Sequence, residues 1–214
     1  AIAFGSNSNI YGNSNNSIAI GTNAHISNND RRSHGVYAVV ENATVLGSFS
    51  TASANKGTAV GSNNTVTLAN DTMVFGNNVA VTQANRSGSV ILGNNSSVPE
   101  NVTAINSAKV GNITYSGFAG NLGGSSTDGS AEVAADQGRF VSIGNAKAPR
   151  QIKHVAAGRI EAESTDAING SQLYSLTNVV SNMGVSVANV IGGNAVLNPN
   201  GTINGFSRLL DTTG

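Results

Sequence analysis

The chain repeats a short phrase in which apolar residues, the last of them large, are followed by glycine. The glycine-to-glycine period is 14 to 17 residues, apart from one step of 26 residues. A period of this kind predicts a repeat architecture in which each copy stacks on the next. The six copies are Ala3-Phe4-Gly5, Ala19-Ile20-Gly21, Val45-Leu46-Gly47, Ala59-Val60-Gly61, Val74-Phe75-Gly76 and Ile91-Leu92-Gly93.

Two apolar columns precede the glycines when the copies are aligned. Neighbouring side chains of a strand point to opposite faces, so both faces of each predicted strand are expected to be buried away from water. A second copy of the same chain would cover the outer face most simply. We assign one column to the core of the roll: Phe4, Ile20, Leu46, Val60, Phe75 and Leu92. We assign the other column to the interface: Ala3, Ala19, Val45, Ala59, Val74 and Ile91.

Asn- and Ser-rich stretches lie between the phrases, and each is followed by a second short β-prone piece. Asn tolerates left-handed backbone, and Asn and Ser side chains close turns locally. The pattern therefore predicts coils made of strand, turn, strand and turn. The second strands are expected at residues 10–11, 25–26, 66–68 and 79–81.

Two stretches interrupt the period, at residues 24–42 and 94–138. The first contains Arg31, Arg32 and His34, which are either a solvated loop or a candidate adhesive loop. The second contains a glycine series at Gly117, Gly120 and Gly123. No βαβ pattern surrounds these glycines, so they do not predict a phosphate-binding loop. The phrase returns at residues 139–144.

The character of the sequence changes at Arg150. Three short motifs follow in order: Arg150-Gln151-Ile152, Val155-Ala156-Ala157-Gly158 and Asp166-Ala167-Ile168-Asn169-Gly170-Ser171-Gln172-Leu173-Tyr174. This composite motif resembles the neck of trimeric autotransporter adhesins, and the repeats resemble the YadA-like head of that family. The resemblance covers about residues 1–180. It implies structural neck residues at Arg150, Gln151, Ile152, Val155, Ala156, Gly158, Asp166, Ala167, Asn169, Gly170, Gln172 and Leu173.

Apolar residues after the neck follow the spacing of a coiled coil. Leu173, Leu176, Val180, Met183 and Val187 occupy a and d positions. Such a short helix is marginal alone and becomes stable when three copies pack together. Gly192-Gly193 ends the helix, and the residues beyond predict two short strands around an Asn-Pro-Asn-Gly turn.

The predicted organisation is a β-roll head at 1–148, a neck at 149–172, a coiled-coil segment at 173–191 and the start of a small β-rich stalk domain at 192–214. The fold implied by the resemblance is a homotrimeric, left-handed parallel β-roll, all-β apart from its final coiled coil.

Composition excludes several classes of function. Charged residues make up 10% of the chain and the formal net charge is zero, so nucleic acid and anionic lipid are not expected partners. The chain has no Cys, which excludes disulfides and thiolate metal sites. No segment is apolar enough to span a bilayer, so membrane contact is not expected from these residues, and any anchor would lie outside them.

Catalytic and metal chemistry is not predicted. The three histidines, His25, His34 and His154, have no metal-ligand spacing among themselves. The turns carry Asn and Ser rather than the Asp that calcium-binding β-roll repeats need. We expect no enzyme activity, no metal and no cofactor.

The resemblance implies an adhesin head fragment on a bacterial cell surface, held by an outer-membrane anchor outside this chain. Its expected partners are two further copies of itself and a matrix protein, a cell or an abiotic surface. The alternative is a trimeric left-handed β-helix acyltransferase, but that fold usually repeats every six residues. An ice-binding solenoid would need ranks of Thr-X-Thr, and only Thr65-Val66-Thr67 qualifies.

Overall fold

The computed structural model describes residues 1–12, 14–27, 40–99, 102, 105–120, 122 and 139–205. The chain divides into two compact units, Ala1–Gln151 and Ile152–Gly214.

Short strands make up the first unit. In chain order they are β1 (Ile2–Phe4), β2 (Asn9–Ile10), β3 (Ile18–Ile20), β4 (His25–Ile26), β5 (Thr44–Leu46), β6 (Thr51–Ser53), β7 (Thr58–Val60), β8 (Thr65–Thr67), β9 (Met73–Phe75), β10 (Ala80–Val81), β11 (Val90–Leu92), β12 (Ser107–Val110), β13 (Ile113–Ser116) and β14 (Val141–Ser142). A 3-10 helix spans Ala84–Arg86.

Within the described residues, the repeat strands form two parallel sheets. The first sheet has the order β1-β3-β5-β7-β9-β11-β14, and the second has the order β10-β8-β6-β4-β2. Equivalent repeat positions pair directly, as Ala19 with Val45 and Val45 with Ala59. The predicted parallel β-solenoid is therefore confirmed, whereas the left-handed winding and the trimer stay predictions.

The assignment of the two apolar columns to core and interface is wrong, because the structure places them the other way round. From the predicted interface column, Ala19, Val45, Ala59, Val74 and Ile91 are fully buried within the single chain, and only Ala3, on the edge strand β1, is exposed. The predicted core column faces outward: Phe4, Ile20, Leu46, Phe75 and Leu92 are exposed, and Val60 is half-buried. The interior of a narrow coil is shared by side chains from both sheets, so it holds small and β-branched residues and leaves the large ones outside.

The second sheet supplies the other half of the core. Ile26, Ala52, Val66 and Val81 are fully buried and are aligned across the sheet. The sequence pattern did not predict β6, because its only inward residue is Ala52. In this coil Ala52 lies opposite Val45 of the first sheet. In the coils on either side, Ala19 of the first sheet lies opposite Ile26, and Ala59 lies opposite Val66. In these three coils an alanine on one sheet therefore lies opposite a larger residue on the other, whereas the β9–β10 coil has Val74 and Val81.

Buried polar side chains at the turns hydrogen-bond to the next coil. Asn64 is fully buried, donates from Nδ2 to the carbonyl of Gly76 at 2.7 Å and accepts from the backbone N–H of Val79 at 3.1 Å. Ser50, one coil earlier, donates to the carbonyl of Gly61 at 2.8 Å. These bonds replace water at buried backbone groups and tie neighbouring coils together.

The turn after each repeat glycine uses a left-handed residue two positions later. Asn occupies this position in most copies, as at Asn23 (φ 54°) and Asn63 (φ 57°), and Phe49 (φ 59°) is the exception. The glycines themselves stack closely: a Cβ built on Gly5 would lie 2.6 Å from the carbonyl oxygen of Gly21. The glycine column therefore has no room for a side chain.

The predicted interruption at 94–138 lies between β11 and β14, which pair with each other in parallel. Within it, β12 and β13 form an antiparallel hairpin, with Val110 opposite Ile113. The strands are exposed along their whole length. Of the interruption at 24–42, β4 belongs to the roll, and residues 28–39 lie outside the described residues.

The second unit contains a helix, α1 (Gly170–Ile191), and the hairpin strands β15 (Val196–Leu197) and β16 (Ile203–Asn204). Asn169 caps the helix in a capping box with Gln172. Gly192, with φ 70°, ends it as predicted. Leu197 packs against the helix at Gly184, where a Cβ would lie 2.8 Å from a Leu197 methyl carbon.

Candidate functional surfaces

The outer side of the first sheet is an apolar face, defined here as the outward side chains of β1, β3, β5, β7, β9 and β11. Two columns contribute, because residues on either side of the buried position both point outward. Large exposed apolar patches of this kind mark interaction sites. The face consists of Ile2, Ile18, Thr44, Thr58, Met73, Val90, Phe4, Ile20, Leu46, Val60, Phe75 and Leu92.

The outer side of the second sheet is a hydroxyl face, defined as Tyr11, His25, Ser27, Thr51, Ser53, Thr65 and Thr67. These residues line a shallow groove of about 410 Å³. At one end the rings of Tyr11 and His25 stack, with centroids 6.3 Å apart. Sequence reasoning recognised only Thr65 and Thr67. The other residues of this face could have been found from the repeat, because His25, Thr51 and Thr65 occupy equivalent positions in successive second strands.

Arg150, the first predicted neck residue, lies at the C-terminal end of the first unit. Its guanidinium donates to the carbonyl of Asn94 at 2.8 Å, to the carbonyl of Ile143 at 2.7 Å and to Oγ of Ser96 at 3.0 Å. Gly93 lies directly beneath the guanidinium, since a Cβ there would approach Cζ to 3.0 Å. Arg150 thus ends the glycine column with a planar cation that satisfies exposed carbonyls.

The neck residues of the second unit are held together by Gln172. Its Oε1 accepts from the N–H of Gly158 at 2.9 Å, and its Nε2 donates to the carbonyl of the same residue at 2.6 Å. Asn169 donates from Nδ2 to the carbonyl of Val155 at 3.1 Å. A Cβ on Gly158 would overlap the carbonyl oxygen of Ala167, so this position accepts glycine only.

The remaining neck residues differ in their contacts within the single chain. Asp166 accepts from the N–H of Arg159 at 3.0 Å and so closes the loop before the helix. Ile152 and Leu173 are apolar and exposed in the single chain. Three others, Gln151, Ala156 and Ala167, are also exposed, and Gly170 opens the helix. Side-chain hydrogen bonds therefore involve Arg150, Asp166, Asn169 and Gln172, whereas Ile152 and Leu173 have no cover within the single chain.

The apolar stripe of α1 is exposed as well. Leu173, Leu176, Val180, Met183 and Val187 are between 47% and 62% exposed. The helix contains no Asp, Glu, Lys or Arg, so its outer surface offers no ion pairs. Exposure of a and d positions on an uncharged helix favours packing against other helices.

The candidate adhesive loop residues Arg31, Arg32 and His34 lie outside the described residues. Across the described ranges, no three His, Asp or Glu side chains are grouped as a metal site requires. No helix in the part of the chain that the structure describes has both the length and the apolarity to cross a membrane.

The family match to known proteins covers mainly the second unit of the chain. Residues 151–196 match the family described as the coiled stalk of trimeric autotransporter adhesin. The resemblance to trimeric autotransporter adhesins is confirmed. Two relatives of this kind are the autotransporter adhesin BtaE of Brucella suis biovar 1 (strain 1330), 51% identical over 47 residues, and EhaG of Escherichia coli O157:H7, 41% identical over 71 residues. These matches cover 22% and 33% of this chain, and 6% and 4% of the relatives.

Solved structures of YadA-like domains also resemble the chain. The C-terminal YadA-like domain of BPSL2063 from Burkholderia pseudomallei is 31% identical with a TM-score of 0.46, over 67% of this chain and 60% of that chain. The collagen-binding domain of the Yersinia adhesin YadA is 21% identical with a TM-score of 0.43, over 82% and 73%. The autotransporter adhesin matches give no support to the acyltransferase alternative.

Proposed function

We propose that this chain is the head, neck and first stalk segment of a homotrimeric adhesin on a bacterial cell surface. Its role is attachment to matrix proteins, other cells or abiotic surfaces. The whole protein would be held by an outer-membrane anchor outside these residues. The proposed boundaries are 1–148 for the head, 149–172 for the neck, 173–191 for the coiled coil and 192–214 for the start of a stalk domain.

The observation that carries the proposal is the apolar face. Phe4, Leu46 and Phe75 are 73%, 39% and 44% exposed in the single chain, on one side of one sheet. Exposed apolar area of this extent is costly for a monomer in water, and burial against copies of the same face removes the cost.

The stripe of α1 supports the same assembly. Its a and d residues need partner helices, and the matched stalk family is described as trimeric. Three heads would then share one coiled coil, so that each attachment event engages three equivalent surfaces. Linked weak contacts of this kind bind more tightly than any single one, because the later contacts form at high effective concentration.

Light scattering after size exclusion tests the assembly. The 214-residue chain is expected at three times 21.5 kDa over a range of loading concentrations. A folded monomer at every concentration would overturn the trimer.

Attachment is tested with beads coated with the chain and applied to matrix-protein coatings, cultured cells and polystyrene, beside beads coated with albumin. Equal attachment of both bead types to every surface would overturn the adhesin.

A further inference from the structure

The two sheets of the roll present opposite chemistry to their surroundings. The apolar face has the proposed role of trimer contact, whereas the hydroxyl face carries no Asp, Glu, Lys or Arg and is lined by Thr, Ser, Tyr and His. This polar, uncharged surface lies on the sheet opposite the proposed trimer contact. We propose that this face binds a neutral glycan chain, an inference that rests on the proposed adhesin function and names its ligand class.

Hydroxyl groups without partners are the first support. Most interior hydroxyls are used by the fold: Ser50 bonds to the Gly61 carbonyl and Thr72 to the Arg86 carbonyl. By contrast, the hydroxyls of Thr51, Thr65 and Thr67 make no hydrogen bond to any described residue. They are half-buried along the groove, so part of their hydration is already lost. A ligand that donates and accepts hydrogen bonds, as a sugar hydroxyl does, complements them.

Regular spacing is the second support. Thr51 pairs with Thr65, and Ser53 pairs with Thr67, in neighbouring parallel strands. Paired residues of adjacent strands lie about 4.8 Å apart, and residues two apart along a strand about 6.6 Å apart. The four side chains therefore form two parallel rows. The Ser53 hydroxyl donates to the Ser27 carbonyl and can accept from a ligand, whereas the three threonines can donate and accept. A linear ligand with hydroxyls at each repeating unit can therefore contact both rows along its length.

The aromatic end of the groove is the third support. Tyr11 and His25 stack with an interplanar angle of 19° and continue the two rows at the β2 and β4 end. Tyr11 is 40% exposed at this end of the groove. A flat apolar ring surface beside hydroxyls matches the apolar and polar sides of a pyranose. An anionic polysaccharide would need Lys or Arg in the groove, and none is among the described residues that line it.

Retention on polysaccharide matrices tests the proposal. The full chain is passed over amorphous cellulose, yeast mannan and dextran beads, with heparin beads as the anionic comparison, at low and high NaCl. We expect retention on at least one neutral matrix, release by the same polysaccharide in solution, and no loss at high NaCl, because no ion pair contributes. No retention on any neutral matrix, or retention on heparin alone, would overturn the proposal.

Matched variants locate the site. Thr51→Val with Thr65→Val removes two hydroxyls while keeping β-branched side chains, and is expected to weaken retention about tenfold. Thr114→Val makes the same hydroxyl-to-methyl change on the exposed strand β13, outside both faces, and is expected to retain wild-type binding. Tyr11→Ala, a change at the aromatic end, is expected to weaken binding as well. Wild-type retention by the Thr51/Thr65 and Tyr11 variants would contradict the assignment to this face.

The proposal and the adhesin function fail separately. Attachment of coated beads to a matrix protein, without retention on any neutral polysaccharide, overturns the glycan inference and leaves the adhesin function intact. Glycan retention by a chain that is monomeric in solution overturns the trimer and supports the hydroxyl face as the binding surface.

Discussion

The guanidinium of Arg150 lies over Gly93 and ends the glycine column of the roll. A Cβ added to an earlier repeat glycine, such as Gly5 or Gly47, would lie against the backbone of the next coil. A Cβ added to Gly93 would instead lie 3.0 Å from Cζ of Arg150. The same guanidinium collects the carbonyls of Asn94 and Ile143, which lie in different coils. A neck residue is therefore also the end cap that a stack of coils requires.

Replacement of Arg150 by Ala is expected to lower the free energy of unfolding by about 1 to 2 kcal/mol, because three hydrogen bonds to a charged donor are lost. Urea unfolding followed by far-UV circular dichroism measures the change. Lys147→Ala is the control, since this cation is exposed at the same end of the roll and makes no side-chain hydrogen bond. Equal stability of both variants would show that Arg150 does not cap the roll.

Glycine in the column is required both for backbone conformation and for space. Gly61 has φ 111°, and a Cβ there would overlap the carbonyl oxygen of Gly76. Gly61→Ala is expected to cost about 3 kcal/mol or more. Gly111→Ala is the matched control, because Gly111 has φ 59° but nothing lies within 4 Å of its built Cβ; its expected cost is about 1 kcal/mol. The prediction fails if thermal unfolding midpoints of the two variants coincide.

Phe49 occupies a left-handed turn position that other coils fill with Asn. It has φ 59° and is 60% exposed, so its side chain gains little in return for the strain within the single chain. Phe49→Asn is expected to raise the free energy of unfolding by about 1 kcal/mol. Chemical denaturation of the monomer-forming variant described below measures this change without contributions from assembly.

The reverse change, Asn63→Phe, is the control for that prediction. Asn63 has φ 57° and donates to Oδ1 of Asn78 at 2.9 Å, so Phe is expected to destabilise the roll there. Unchanged or reduced stability of Phe49→Asn would indicate that the Phe49 ring makes contacts worth more than the backbone strain.

Variants at outward and inward positions of β5 distinguish effects on assembly from effects on folding. Leu46→Ser with Phe75→Ser removes apolar area from the apolar face and is expected to convert the proposed trimer to a folded monomer. Val45→Ser, the adjacent buried position, is expected instead to destabilise the roll by about 2 kcal/mol or more. Light scattering and circular dichroism read the two effects. A trimer of wild-type stability in the double variant would exclude the apolar face as the interface.

Gln172 closes the neck through both polar atoms of its side chain. In Gln172→Glu the carboxylate oxygens can only accept, so the donor to the Gly158 carbonyl is lost and two acceptors face each other. Amide exchange at Gly158 is expected to accelerate at least about tenfold, by the loss of about 1.4 kcal/mol of local stability. Gln151→Glu, at an exposed position, is the control. Equal exchange rates at Gly158 in both variants would contradict the role of Gln172.

The sequence by itself determined the repeat, its period and the alternation of turns and strands, with the exception of β6. These depend on glycines that mostly have positive φ and on Asn at left-handed turns, both of which are local requirements of the backbone. It also determined the helix and its end at Gly192. The neck was recognised by resemblance, and its hydrogen bonds at Arg150, Gly158 and Gln172 became known only with the fold.

Only the tertiary structure decided which apolar column faces inward. Val45 and Leu46 are both apolar, and alternation states that they point to opposite faces without stating which face is the core. That choice depends on the width of the coil and on the opposing strand, where Ala52 leaves room for Val45. The hydroxyl face was likewise decided in three dimensions, because Tyr11, Thr51 and Thr67 are far apart in sequence and adjoin only when the coils stack.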